Sequence, residues 1–118
     1  MPGGFLTLSA DGPKDGTGIL RVNMPYGANA NRQVVRGVLR AFDASDVSKP
    51  QLWDSESTGR ANDSLGQFAK YVPPTVANGQ VYVPAFQQET VLPTGIHVKP
   101  AVGDQPALVI YGLLNQQQ

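Results

Sequence analysis

The stretch Pro73-Pro74-Thr75-Val76-Ala77-Asn78-Gly79-Gln80-Val81-Tyr82-Val83-Pro84-Ala85-Phe86 constrains this chain more than any other. Asn78-Gly79 supplies two residues that tolerate positive φ, as a type I′ turn requires, and the flanking residues are β-branched or aromatic. The pattern predicts a tight antiparallel hairpin. A lone hairpin is marginal in water, so its apolar side chains need cover from further strands, and the rest of the 118-residue chain has to supply them. Thirteen glycines and ten prolines argue against long helices and suit short strands joined by tight turns. A chain of this length makes one domain, 1–118, with a single core.

Further strands are expected at 4–8, 19–24, 34–42, 51–54, 95–99 and 107–114. The first two should pair across a turn of Ser, Asp, Gly and Pro residues. Gly37, inside the third, suggests a bulge or a close approach of backbone. The segment 107–114 is apolar on both faces, which predicts a central strand. Between 55 and 70 the chain is polar and long for a connection, and 63–68 is expected to form one helical turn.

Nine basic and nine acidic residues balance without a Lys/Arg cluster, so neither nucleic acid nor a membrane surface is an expected partner. The chain has no cysteine, which excludes a thiolate nucleophile, a disulfide and a Cys-built zinc site. No apolar run approaches the roughly 18 residues of a spanning helix, and Met1-Pro2-Gly3-Gly4 lacks the charged and hydrophobic regions of a signal peptide.

Chemistry-bearing residues are sparse. His97 is the only histidine, so a His-rich metal site is excluded; an acid–base role is weighed against a plain strand residue, which is favoured. Asp54, Glu56 and Asp63 share one connection and could act as the paired carboxylates of a glycosidase, although charges on an exposed loop are more often simply solvated. Lys70, if buried, could serve as a base; a snorkelling lysine beside a core Tyr71 is favoured. Gly12, Gly16 and Gly18 lack the spacing and following helix of a phosphate loop, and no serine sits in a Gly-x-Ser-x-Gly elbow. No cofactor and no metal are expected.

Four segments together resemble the C-terminal blades of bacterial pyrroloquinoline-quinone-dehydrogenase-like β-propellers. They are Gly37-Val38-Leu39-Arg40-Ala41-Phe42-Asp43-Ala44, Leu52-Trp53-Asp54-Ser55, Pro74 to Val83, and Ile110-Tyr111-Gly112-Leu113. The resemblance implies an all-β antiparallel fold of about two four-stranded propeller-type blades, near 4–54 and 70–114, completed by oligomerisation. It also implies a tryptophan-docking arrangement in which Ala41, Asp43, Lys49 and Trp53 hold one blade against its neighbour. The family's cysteine pair is absent here, and quinone binding is not carried over. Many family members are secreted, which points to a periplasmic or extracellular setting. The segment 87–105 is longer than such blades require and reads as an insertion.

The function expected on these grounds is a non-catalytic binding or assembly module that associates with itself as a dimer to tetramer and takes a small-molecule or carbohydrate ligand. The alternative is a small hydrolase of glycosides or esters, with Asp54, Glu56, Asp63, Lys70 and His97 around its site.

Overall fold

The Asn78-Gly79 turn forms as its residue types dictate. Asn78 has a φ of 53° and Gly79 of 73°, and the arms pair as Ala77 opposite Gln80, Val76 opposite Val81 and Thr75 opposite Tyr82. The computed structural model describes residues 4–31, 33–60, 63–86, 90–91, 94, 97–98 and 106–112. No α-helix occurs among them. The strands are β1 (Phe5–Ser9), β2 (Ile19–Pro25), β3 (Gly37–Asp43), β4 (Trp53–Asp54), β5 (Gln67–Phe68), β6 (Thr75–Ala77), β7 (Gln80–Phe86), β8 (Thr90–Val91), β9 (His97–Val98) and β10 (Pro106–Tyr111). The protein is thus all-β, built on two antiparallel four-stranded sheets plus a small β8–β9 pair.

The first sheet is a meander, β1-β2-β3-β4, each strand folding back on the one before. The second is centred on β7, which pairs along one side with β10. Its other side meets β5 opposite Phe86 and Ala85, and β6 opposite Gln80 to Tyr82. The gap between those partners falls at Val83–Pro84, and proline has no N–H to give a ladder there. β7 and β10 pair directly, and the β8–β9 pair falls between them in the chain.

The sheets pack face to face. Leu39 of β3 lies against Val81, Val83 and Ala85 of β7 and against Leu65, with Val76, Val109 and Tyr111 at the margin. Leu39, Leu65 and Val83 are essentially fully buried, each worth roughly 1.5–3 kcal/mol relative to exposure. A second cluster joins Ala30, Val35 and Phe68, with Phe5 against it. Gly37 marks a close approach: a Cβ there would stand 2.9 Å from Leu65 Cδ2 and 3.2 Å from the Phe68 Cα.

Three sequence expectations need correction. Residues 63–68 do not make a helical turn; Gln67–Phe68 is β5, since Phe68 N–H donates to the Val35 carbonyl and Gly37 N–H to the Gly66 carbonyl. One isolated turn offers few hydrogen bonds to compete with ladders on both sides. The strand expected from Val34 begins at Gly37, preceded by an Arg36–Gln67 bridge. The apolar segment expected to be central, β10, lies at the edge of its sheet among the described residues. Its outward side chains Leu108 and Ile110 are more than half exposed, so apolarity on both faces does not reflect burial on both. Residues 113–114 of that expected strand, and 95, 96 and 99 of the one before it, lie outside the described residues.

Candidate functional site

Where β3, β4, β7 and β10 converge, the packed sheets leave a cleft of about 380 Å³. Its walls come from both sheets: Leu39, Ala41 and Trp53 face Val81 and Tyr111, with Arg21 at one side and Arg60 and Asp63 at another. The register explains the composition. Thr7, Arg21, Ala41 and Trp53 stand opposite one another in a row across the first sheet, and directly opposed residues share a face. That face is the one carrying Leu39, so Arg21 and Trp53 point toward the second sheet.

Trp53 meets Tyr111 edge-on, with ring centroids 5.4 Å apart and planes at 73°. The Tyr111 hydroxyl donates to the Asp63 carbonyl at 2.8 Å. Burial raises the Tyr111 pKa well above its ordinary value, and the nearby Glu56 and Asp63 charges push it the same way. Arg21 donates to Ser9 Oγ at 2.6 Å, and partial burial lowers its pKa.

The described part of the 54–66 segment, residues 54–60 and 63–66, is a strap rather than a solvated loop, correcting the expectation for its carboxylates. Asp54 is buried, and its Oδ1 accepts from the Glu56 and Ser57 N–H groups at 2.9 and 2.8 Å, while Oδ2 accepts from Gln51 Nε2. Burial pulls the Asp54 pKa up, but the hydrogen bonds from Glu56, Ser57 and Gln51 outweigh it and hold the group below its ordinary value. Glu56, with a side chain only 3% exposed, pairs with Arg36 at 2.5 Å. It also accepts from Ser64 Oγ at 2.9 Å, Ser55 Oγ at 2.7 Å and Leu65 N–H at 3.1 Å. Asp63 pairs with Arg60 at 3.1 Å; hydrogen bonds from Thr58 and Arg60 lower its pKa. The three carboxylates are therefore engaged by separate partners: Asp63 by Arg60 within the strap, and Asp54 and Glu56 by strap groups together with Gln51 and Arg36 outside it.

The remaining candidates are dispersed. Lys70 is exposed, its Nζ 3.4 Å from the Asn31 carbonyl. Tyr71, expected in the core, lies in the turn between β5 and β6, is 75% exposed with a φ of 63° and stacks edge-on against Phe5. His97 sits on β9 opposite Val91. Of the four residues of the docking arrangement, Ala41 stands opposite Trp53, and Lys49 lies 3.6 Å from Asp43 across the turn between β3 and β4. Ser45 hydrogen bonds first, and Lys49 further, lower the Asp43 pKa. Among the described residues no three His, Asp or Glu side chains converge on a metal position.

Sequence reasoning missed Arg21 and Tyr111. The signal for Arg21 was a cation in the β2 row that alternates with Leu20, Val22 and Met24. With fold and site described, comparison with known proteins adds no kinship: no family model matches the chain, and neither a curated protein nor a solved structure does.

Proposed function

We propose that the chain is a non-catalytic β-module that assembles with copies of itself, its two sheets serving as a pair of propeller-type blades. The observation that carries this reading is the orientation of β1 and β2. Their more apolar faces, Leu6 and Leu8 beside Leu20 and Met24, lie opposite the face that packs on the second sheet, with Val22 of the same rows already buried within the chain. Leu6 and Leu8 are 54% and 65% exposed. The second sheet's outer face is apolar as well: Leu108 and Ile110 pair with Pro84 and Tyr82 and stand more than half exposed. Covering such a side chain contributes up to roughly 1.5–3 kcal/mol.

A second copy is the occupant that fits. The outer face of one chain's second sheet, set against the outer face of the next chain's first sheet, repeats the contact already made inside each chain. Head-to-tail repetition of that contact closes a ring when the rotation allows it, with roughly three or four chains giving six or eight blades. In that arrangement Ala41, Asp43, Lys49 and Trp53 brace the β3–β4 corner against the neighbouring sheet. Strand exchange through 55–70 has less support, because Asp54, Glu56 and Tyr111 fasten that segment within its own chain. The hydrolase alternative has less support too, since its carboxylates are held by separate structural partners.

Sedimentation equilibrium on the wild type, Leu8→Glu and Leu108→Glu tests the reading. Each variant charges one outer face and should shift the population to monomer while keeping its β-type circular dichroism. Association unchanged by both substitutions would overturn the proposal.

A further inference from the structure

Arg21 is the cation whose setting the fold does not explain. A guanidinium carries five N–H donors, and among the described residues its hydrogen-bond partner is Ser9 Oγ. The carboxylate that shares its cleft, Asp63, is committed to Arg60, while Asp43 pairs with Lys49, Glu56 with Arg36, and Asp54 is held by backbone N–H groups. With Arg60 balanced by Asp63, the cleft keeps one positive charge, that of Arg21. The rest of the lining is apolar or aromatic, from Ile19, Leu39, Leu52, Val81, Trp53 and Tyr111. The Tyr111 hydroxyl is already used on the Asp63 carbonyl, which leaves little to satisfy the many hydroxyls of a sugar. The volume of about 380 Å³ lies toward the small end of the roughly 300–1,000 Å³ typical of small-molecule sites.

We propose that this inter-sheet cleft binds a small aryl or arylalkyl carboxylate, its ring against Trp53 and Tyr111 and its carboxylate on the Arg21 guanidinium. The fork of a guanidinium matches a carboxylate in two parallel hydrogen bonds, and charge-assisted bonds are the stronger kind. Edge-to-face aromatic contact adds to the burial of the ring. The site lies within one chain and does not depend on self-assembly.

Trp53 is the chain's only tryptophan, so its emission reports on the cleft wall alone. Phenylacetate should change that emission saturably, in the micromolar to millimolar range. Its neutral isostere phenylacetamide should bind about tenfold more weakly or worse, and benzylammonium should not bind. Arg21→Gln should remove the preference for the acid, Arg21→Lys should keep part of it, and Lys14→Gln, on an exposed turn outside the cleft, should leave it unchanged. Amide shifts of Gly79 and Gly112 in the wild type, titrated with the same three probes, give the charge preference without any variant. Equal binding of the acid and the amide, shifts at neither glycine, or no saturable response to phenylacetate at millimolar concentration would each overturn the proposal.

Discussion

The strap at 54–66 and the cleft beside it hold comparable charges in opposite states. In the strap, Glu56 meets Arg36, two serine hydroxyls and a backbone N–H, and Asp54 caps two N–H groups of the turn that follows it. In the cleft, Arg21 leans on one serine hydroxyl. Burial of charge is costly unless every lone pair and proton finds a partner. The strap meets that demand with its own groups together with Arg36 and Gln51 and so reads as architecture, whereas the cleft leaves donor capacity that a ligand can use. A charged residue in a cleft is informative only once its partners are counted.

That contrast sets the order of expected effects. Glu56→Ala should be the most damaging single change, at about 3 kcal/mol by urea denaturation, because it removes the buried acceptor used by Ser55 Oγ and the Leu65 N–H. Little of this comes from the ion pair, since Arg36 is 61% exposed. A loss under about 1 kcal/mol would mean the strap is held elsewhere. Gly37→Ala should cost about 2 kcal/mol, because its methyl group would press on Leu65 and on the backbone of Phe68. An unchanged urea midpoint would show that β3 and β5 can part without penalty.

Acid should loosen the strap. The Asp54 pKa is lower in the folded chain than in the unfolded one, so its contribution is fully present above the ordinary carboxylate range and is lost as pH falls through the folded value. Asp43 and Asp63 act in the same direction. The urea midpoint should hold between about pH 7 and 5 and fall below about pH 4, with Asp54→Asn showing a shallower fall. A midpoint that rises on acidification would contradict this assignment. Arg21→Met should have the smallest effect, within about 0.5 kcal/mol, because the methionine keeps the packing of the stem while no carboxylate loses a partner. A large loss would mean that Arg21 belongs to the architecture after all.

The hairpin and the all-β class were legible because Asn78-Gly79 and the glycine and proline content act locally. The edge position of β10 was not, since Leu108 and Ile110 look in sequence like residues buried on both faces. The alternation of β2 misleads for a related reason. Leu20, Val22 and Met24 have the character of an inner row, yet Arg21 and Asn23 face the second sheet. Asn23 is buried and its Nδ2 donates to the Val72 carbonyl at 3.1 Å, while the Thr7 hydroxyl donates to the Pro74 carbonyl. The proline-rich approach to β6 has carbonyls to satisfy, and the inner rows of β1 and β2 supply donors. Such a demand comes from residues 49 and 67 positions away and leaves no periodic trace. The carboxylates of the strap escaped for the same reason: Glu56 reads as a surface charge until Arg36, Ser64 and Leu65 are brought to it.

The proposed assembly requires those outward apolar rows to be covered by another chain. Light scattering coupled to size exclusion at micromolar concentration measures this directly against a chain mass of 12.6 kDa. Self-assembly predicts a discrete mass of two to about four chains, dissociated by Leu8→Glu. A folded species at the mass of one chain, stable across the concentration range, would contradict it.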